Sequence, residues 1–147
     1  VLAAPVIGAA KAAVRRFQER IDDHFLVALA SVQRNDPAAG YRLAESTAEI
    51  RAAELLLYDA AARLDHLGGV EEVDPVINAS IIRDCGWGVR ALANAVDRLY
   101  EASGANAMRA DEPIQRLWRD VNAARSHAIL TWDHAANTYS RALLDSI

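Results

Sequence analysis

The chain has 147 residues and a net charge of -4, with 16 Lys and Arg residues against 20 Asp and Glu residues. The length corresponds to about one domain, and 52% hydrophobic with 24% charged residues is typical of a globular protein and not of a disordered one. The acidic balance argues against electrostatic binding to nucleic acid or to an anionic membrane, and no apolar run approaches the roughly 18 residues of a membrane span.

A predicted first helix covers residues 3–33, in a chain where alanine is the most frequent type and Gly and Pro are scarce. The turn formers in RNDPAAG, residues 34–40, are expected to end it. Its apolar positions recur in steps of three and four residues, as on one face of a helix. They are Val6, Ala10, Ala13, Phe17, Ile21, Phe25 and Leu29.

A second helix is predicted over residues 41–67 and a third from Asp74-Pro75 to Ser103-Gly104. The second has a leucine or isoleucine every seven residues and ends before two glycines. The third begins with an N-cap residue followed by proline. It contains CGWG at residues 85–88, whose two glycines favour a kink or a close contact with another helix over a ligand site. The apolar seams are Leu43, Ile50, Leu57 and Leu64 in the second helix, and Ile81, Val89, Leu92, Val96 and Leu99 in the third.

A fourth long helix is predicted from residues 111–113 to about residue 144. Its seam narrows to alanine after Val121, so that a helix or a flat ligand can come close. Trp118, Arg125, Trp132 and Tyr139 repeat every seven residues beside this seam. Such a stripe more often packs against a neighbouring helix, with charged residues paired at the surface. The alternative is a concave site with aromatic walls and a histidine.

Four long helices with short connections predict an all-α, up-down-up-down four-helix bundle. Long bundles usually bury further faces by association, so we expect an oligomer. No Glu-x-x-His pair, His-Glu-x-x-His motif, Cys-x-x-Cys motif or glycine-rich phosphate loop occurs, and we expect no metal site. The single cysteine, Cys85, excludes an internal disulfide and favours a reducing, cytoplasmic compartment. Among apolar neighbours, a lone thiol is more often inert packing than a nucleophile.

The segments LYEASGANA and EPIQRLWRDVNAARSHAILTWD, residues 99–107 and 112–133, resemble the C-terminal helical domain of the acyl-CoA dehydrogenase fold. They look most like the flavin-dependent aromatic monooxygenases that act on phenols, secosteroid phenols and hydroxyphenylacetate. The QR-x-WRD core is the most specific part. LAESTAEIRAAELLLYDAAARL, residues 43–64, is similar more weakly.

The resemblance covers nearly all of residues 1–147 and implies the C-terminal bundle of a longer flavoprotein. An N-terminal helical domain and a middle β domain would be absent from this chain, which also has no initiator methionine. The family further implies a homotetramer, reduced flavin (FMN or FAD) bound between the middle domain and this bundle, and a separate flavin reductase. The reaction implied is hydroxylation of an aromatic, phenolic substrate with O2.

The resemblance also suggests individual site residues. Gly104, Ala105 and Asn106 match the turn near the flavin phosphates. His127 matches a histidine near the flavin ring and the substrate, where it would hydrogen-bond the activated oxygen or deprotonate the phenol. We expect Asp133 to orient that site and Trp132 to form a wall of the pocket. Arg119 and Asp120 match the family's RD pair and are expected to fix the helix and a subunit contact.

The sequence departs from the family pattern at two positions. Asn122 stands where the family often has histidine, and Ser126-His127 stands where two adjacent histidines are common. No glutamate lies between residues 126 and 135 to act as the base of an acyl-CoA dehydrogenase, which weighs against dehydrogenation, although another part of the fold could supply a base. The alternatives are a dehydrogenase-like flavin oxidoreductase on the same fold and a non-catalytic helical oligomerisation module.

Overall fold

The structure is a computed structural model, and it describes residues 2–26, 30–68 and 72–147. The predicted all-α class is confirmed, because this part of the chain forms five α-helices with one minimal antiparallel sheet. The elements are α1 (Ala4–Asp23), β1 (Phe25–Leu26), β2 (Ser31–Val32), a 3-10 turn (Gln33–Asn35), α2 (Pro37–Leu67), α3 (Pro75–Ala102), a second 3-10 turn (Ala105–Met108), α4 (Pro113–Arg125) and α5 (Trp132–Leu144).

Helix α1 ends ten residues earlier than predicted. It stops at Asp23, and two strands of two residues pair Phe25 with Val32 in a short hairpin. Two aspartates at the carboxyl end of α1 oppose the helix dipole, which favours termination there. The predicted seam is buried from Val6 to Ile21, but Phe25 is exposed and Leu29 lies outside the described residues. Strands this short give no period-two pattern to read.

Helix α2 begins four residues earlier than predicted. Pro37 is its first residue, and the Asp36 side chain accepts a hydrogen bond from the backbone N–H of Ala38 at 3.0 Å. The segment expected to be a loop is therefore an N-cap with proline at the first helical position, where its missing N–H has no consequence. Of the leucine repeat, Ile50 and Leu57 are buried, whereas Leu64 is exposed.

Helix α3 is the central helix, since it packs against each of the other four. It runs without interruption through CGWG, and its whole predicted apolar seam is buried. The close-contact interpretation of the glycines is confirmed. A Cβ on Gly86 would lie 2.5 Å from the Cβ of Ala135, and one on Gly88 would lie 2.8 Å from Leu57. Bare backbone at these positions lets α5 and α2 approach α3 closely.

The prediction of one continuous fourth helix is wrong. Helix α4 ends at Arg125 and α5 begins at Trp132, with a turn between them. The alanine-rich sequence gives no sign of this break. The apolar face changes at the turn, where Leu130 is buried with 6% exposure and Ala128 faces solvent. Both tryptophan-bearing segments nevertheless face α3. In the described residues no helix is long and apolar enough to cross a membrane.

Candidate functional site

The turn at residues 126–131 joins α4 to α5 and is held by backbone hydrogen bonds. The carbonyl of His127 accepts from the N–H of Leu130 at 2.7 Å and from that of Thr131 at 3.0 Å. The Ser126 hydroxyl donates to the carbonyl of Asn122, and Thr131 donates to that of Ala128. Side-chain bonds of this kind compete with continued helix, which explains why α4 stops here.

His127 lies in this turn with its side chain exposed. Its Nδ1 accepts the N–H of Ile129 at 3.4 Å, which is a weak bond. The sequence placed this residue in the middle of a long helix, and the structure places it at a junction instead. An exposed imidazole in a turn can approach a ligand held by a neighbouring surface.

A cleft of about 610 Å³ opens beside the turn. Its size lies in the range of small-molecule sites. Residues of three elements form it: Arg90 and Asn94 from α3, Arg125 at the end of α4, and Ser126 with Leu130, Thr131, Trp132 and Asp133 from the turn and α5. The structure therefore brings together two of the predicted site residues, Trp132 and Asp133, with Arg90 and Asn94, which the sequence analysis did not select. His127 is not among the lining residues.

Trp132 forms an aromatic wall of the cleft. The guanidinium carbon of Arg90 lies 5.6 Å from the centre of its ring, in cation–π geometry. Trp132 is the first residue of α5, and the contact of Gly86 with Ala135 seats that first turn directly against α3. Asp133 is exposed in the same turn of α5, where a carboxylate is favoured by the positive end of the helix dipole.

A carboxylate on α3 fixes the other side of the cleft. Asp97 accepts hydrogen bonds from Trp118 Nε1 at 2.7 Å, Asn122 Nδ2 at 2.9 Å and Arg125 Nη1 at 2.9 Å. Trp118 also stacks on Tyr100, with ring centres 4.7 Å apart. The interpretation of Trp118 as a packing residue is thus supported. Asn122, a departure from the family pattern, serves here as a donor to Asp97.

Gly104, Ala105 and Asn106 lie at the far end of α3 and are exposed. Gly104 has a φ of 72°, a conformation that favours glycine, and the second 3-10 turn follows it. It comes ten residues after Asn94, or roughly 15 Å along a helix axis. The structure therefore does not bring these three residues into the cleft, so a ligand contacting both places would have to be long.

The other candidate groups do not line the cleft. Burial raises the pKa of the Cys85 thiol, which keeps it protonated and weakly nucleophilic. Within the described ranges, no three His, Cys, Asp or Glu side chains converge as a metal site would need. Arg119 and Asp120 are exposed on α4, and Arg116 lies 3.9 Å from Asp120.

Arg90, Asn94 and Asp97 were missed by the sequence analysis, although a signal for them exists. They follow one another at steps of four and three residues, which places them on one face of α3. Their neighbours in that helix are mostly buried alanine, valine and leucine. A polar stripe on an otherwise buried helix indicates either a polar contact with another helix or a ligand site. The sequence alone does not show which helix lies opposite the stripe.

Comparison with known proteins places the chain in a family. The family described as acyl-CoA dehydrogenase, C-terminal domain, matches residues 1–132. The oxygenase subunit HsaA of a flavin-dependent monooxygenase from Mycobacterium tuberculosis (strain ATCC 25618 / H37Rv) is 33% identical over 129 residues, covering 86% of this chain and 33% of that protein. The oxygenase component of an FADH(2)-dependent resorcinol hydroxylase from Rhizobium sp. (strain MTP-10005) is 27% identical, covering 97% of this chain and 37% of that protein.

Solved structures agree with these relatives. The crystal structure of the HsaA monooxygenase from M. tuberculosis matches with a TM-score of 0.79 and 30% identity, over 98% of this chain and 38% of that one. XiaF from Streptomyces sp., in complex with FADH2 and glycerol, matches with a TM-score of 0.89 and 27% identity, over 99% of this chain and 37% of that one. The chain spans about a third of the length of the curated relatives it matches. The chain belongs to the acyl-CoA dehydrogenase C-terminal domain family.

Proposed function

We propose that this chain is the C-terminal flavin-binding and oligomerisation domain of a reduced-flavin-dependent monooxygenase. The whole protein would hydroxylate an aromatic, phenolic substrate with O2, and a separate reductase would supply the reduced flavin. The observation that carries the proposal is the cleft beside the 126–131 turn, which combines an aromatic wall with N–H donors. The names of the relatives, which are flavin-dependent oxygenase subunits and components, support the same reading.

The residues of the cleft fit a flavin. Trp132 offers a flat ring, while Arg90 and Asn94 offer N–H donors to carbonyl oxygens or to an anionic ring. Bound there, the reduced flavin would supply the electrons and activate O2. One side of the cleft is open, so the rest of the pocket would come from an N-terminal helical domain and a middle β domain outside these residues, and from neighbouring subunits of a homotetramer.

We assign the catalytic role to His127, which lies in the turn beside the cleft but not in its lining, and an orienting role to Asp133, which lines the cleft. The exposed imidazole can accept a phenolic proton or donate to oxygen at the reacting centre, and such proton transfer is typically worth 10²–10⁴-fold in rate. Gly104, Ala105 and Asn106 would contact the distal, phosphate-bearing part of the cofactor, because positive-φ glycine lets backbone N–H groups approach an anion. The single cysteine, Cys85, supports a cytoplasmic location.

The decisive experiment mixes the full-length protein with a flavin reductase, NADH and a panel of phenols. Hydroxylated product is expected from the wild type. His127→Ala should fold normally and form at least about tenfold less product, releasing hydrogen peroxide instead. His134→Ala is the matched control, since that histidine is also exposed but lies in α5 and not in the 126–131 turn. It should behave as the wild type.

Each other result has a definite meaning. Unchanged product yield in His127→Ala would remove His127 from the reaction. Reduction of bound flavin by an acyl-CoA without oxygen incorporation would support the dehydrogenase-like alternative. If the full-length protein has no affinity for flavin, the non-catalytic oligomerisation module is the alternative that remains.

A further inference from the structure

Asp97 collects three donors from one face of α4. Trp118, Asn122 and Arg125 are spaced by four and three residues, and all three side chains end on the same carboxylate. One oxygen accepts the indole and the amide, and the other accepts the guanidinium. Hydrogen bonds to a charged acceptor are stronger than neutral ones, so the set holds α4 against α3 in one register.

The third of these donors connects the cluster to the proposed site. Arg125 is the last residue of α4, it lines the cleft, and the turn carrying His127 begins at the next residue. Its side chain is 39% exposed, so only Asp97 fixes which way the guanidinium points in the described structure. The carboxylate thereby sets both the orientation of Arg125 and the point from which the turn starts.

A half-buried aromatic contact also favours this register. The Trp118 ring stacks on Tyr100 with planes 16° apart, and Tyr100 lies on α3 three residues after Asp97. The indole cannot follow a shift of α4 without losing both the stacking and its bond to Asp97. A small displacement at Asp97 is therefore passed on to the carboxyl end of α4 and not absorbed locally.

We propose that Asp97 is a positioning residue for the monooxygenase reaction. Through Arg125 and the 126–131 turn, it sets the position of His127 relative to the cleft. The inference rests on the proposed function for its catalytic consequence. The structural part, a turn whose position depends on a carboxylate of another helix, holds independently of any reaction.

The first test follows the tryptophans by ¹⁹F NMR in the intact protein labelled with fluorotryptophan, with resonances assigned from Trp118→Phe and Trp132→Phe. Asp97→Asn should shift the signals of both Trp118 and Trp132, although Trp132 does not touch Asp97. The matched control is Glu49→Gln. Glu49 accepts from Arg98 at 2.9 Å on the α2 side of α3 and is 24% exposed, against 27% for Asp97. It should move neither signal.

The second test measures the product formed per O2 consumed, at a temperature well below the melting transition of every variant. Asp97→Asn should lower this coupling about fivefold or more, because sub-ångström misplacement is costly at a reacting centre, while the KM for flavin changes less. Glu49→Gln should keep wild-type coupling. If Asp97→Asn does not fold, Trp118→Phe removes one of the three bonds and retains the stacked ring, and should lower coupling in the same direction.

The outcomes separate the two proposals. A Trp132 signal that stays in place in Asp97→Asn, or a lower melting temperature with unchanged coupling, overturns the positioning role. If no phenol is hydroxylated by the wild type, the proposed function fails, and the fluorine spectra still decide whether Asp97 places the turn.

Discussion

Two carboxylates on α3 show how the same chemical group serves two purposes. Asp84 is 4% exposed and is bonded to Arg63 of α2 and to Arg83. Asp97 is more open and is bonded to the indole, amide and guanidinium of α4. The first joins two long helices, while the second joins α3 to a short helix that ends at the cleft. We interpret the buried, paired Asp84 as a residue that stabilises the fold. We interpret Asp97, which is bonded to the helix that ends at the cleft, as a residue that positions the cleft.

The largest expected effect comes from Asp84→Ala. The buried carboxylate raises the pKa of Arg63 through their hydrogen bond, and removing it leaves two guanidiniums without their shared partner. We expect the free energy of unfolding to fall by about 3 kcal/mol, measured by chemical denaturation. Asp59→Ala, which removes a 63% exposed partner of the same arginine, should lower it by less than about 1 kcal/mol. Equal losses in the two variants would show that burial does not distinguish these contacts.

Gly86→Ala should have the next largest effect. The added Cβ would lie 2.5 Å from that of Ala135, so α5 must move away from α3. Overpacking of this kind costs about 2 kcal/mol, to be measured in urea. Gly8→Ala is the control of opposite sign. Gly8 is in α1 with no atom within 4 Å of an added Cβ, and alanine there should stabilise by roughly 0.5–1 kcal/mol. Wild-type stability in Gly86→Ala would mean that α5 is not seated on α3 as described.

A third carboxylate gives the smallest expected effect and a pH dependence. Lys11 of α1 hydrogen-bonds Glu54 and holds the pKa of that carboxyl below its ordinary value of 4.5, with a further bond from Arg51. The ionised form is therefore favoured by folding, and its contribution is present above about pH 4.5 and is lost as the pH falls through the lowered value. The melting temperature of the wild type should drop more steeply between pH 5 and 3 than that of Glu54→Gln, with steepness judged over roughly half-unit steps. Parallel curves would contradict this assignment.

The fold could be predicted where local signals were sufficient. The buried seam of α3 and the N-cap at Asp74 were predicted correctly, because helical periodicity and capping depend on residues that are close in the sequence. The break between α4 and α5 was not, since Ala124 and Ala128 continue the alanine pattern through the turn. The turn also buries Leu130 in the core, and that tertiary contact is not visible in consecutive residues.

The candidate site was predicted in part for the same reason. Trp132 and Asp133 were selected and line the cleft, whereas Arg90 and Asn94 were not, because nothing local shows which helix faces α4 and α5. The roles of His127 and of Gly104 came from family resemblance and remain predictions. Asp97 became visible only once its three donors were seen together in space.

The turn at residues 126–131 is closed by main-chain groups, with the carbonyl of His127 accepting two N–H bonds. The side chains of Ala128 and Ile129, by contrast, point outward and take no part in that closure. These two positions can therefore change identity during divergence while the loop keeps its shape. A small library randomised at both positions should therefore contain few unfolded members.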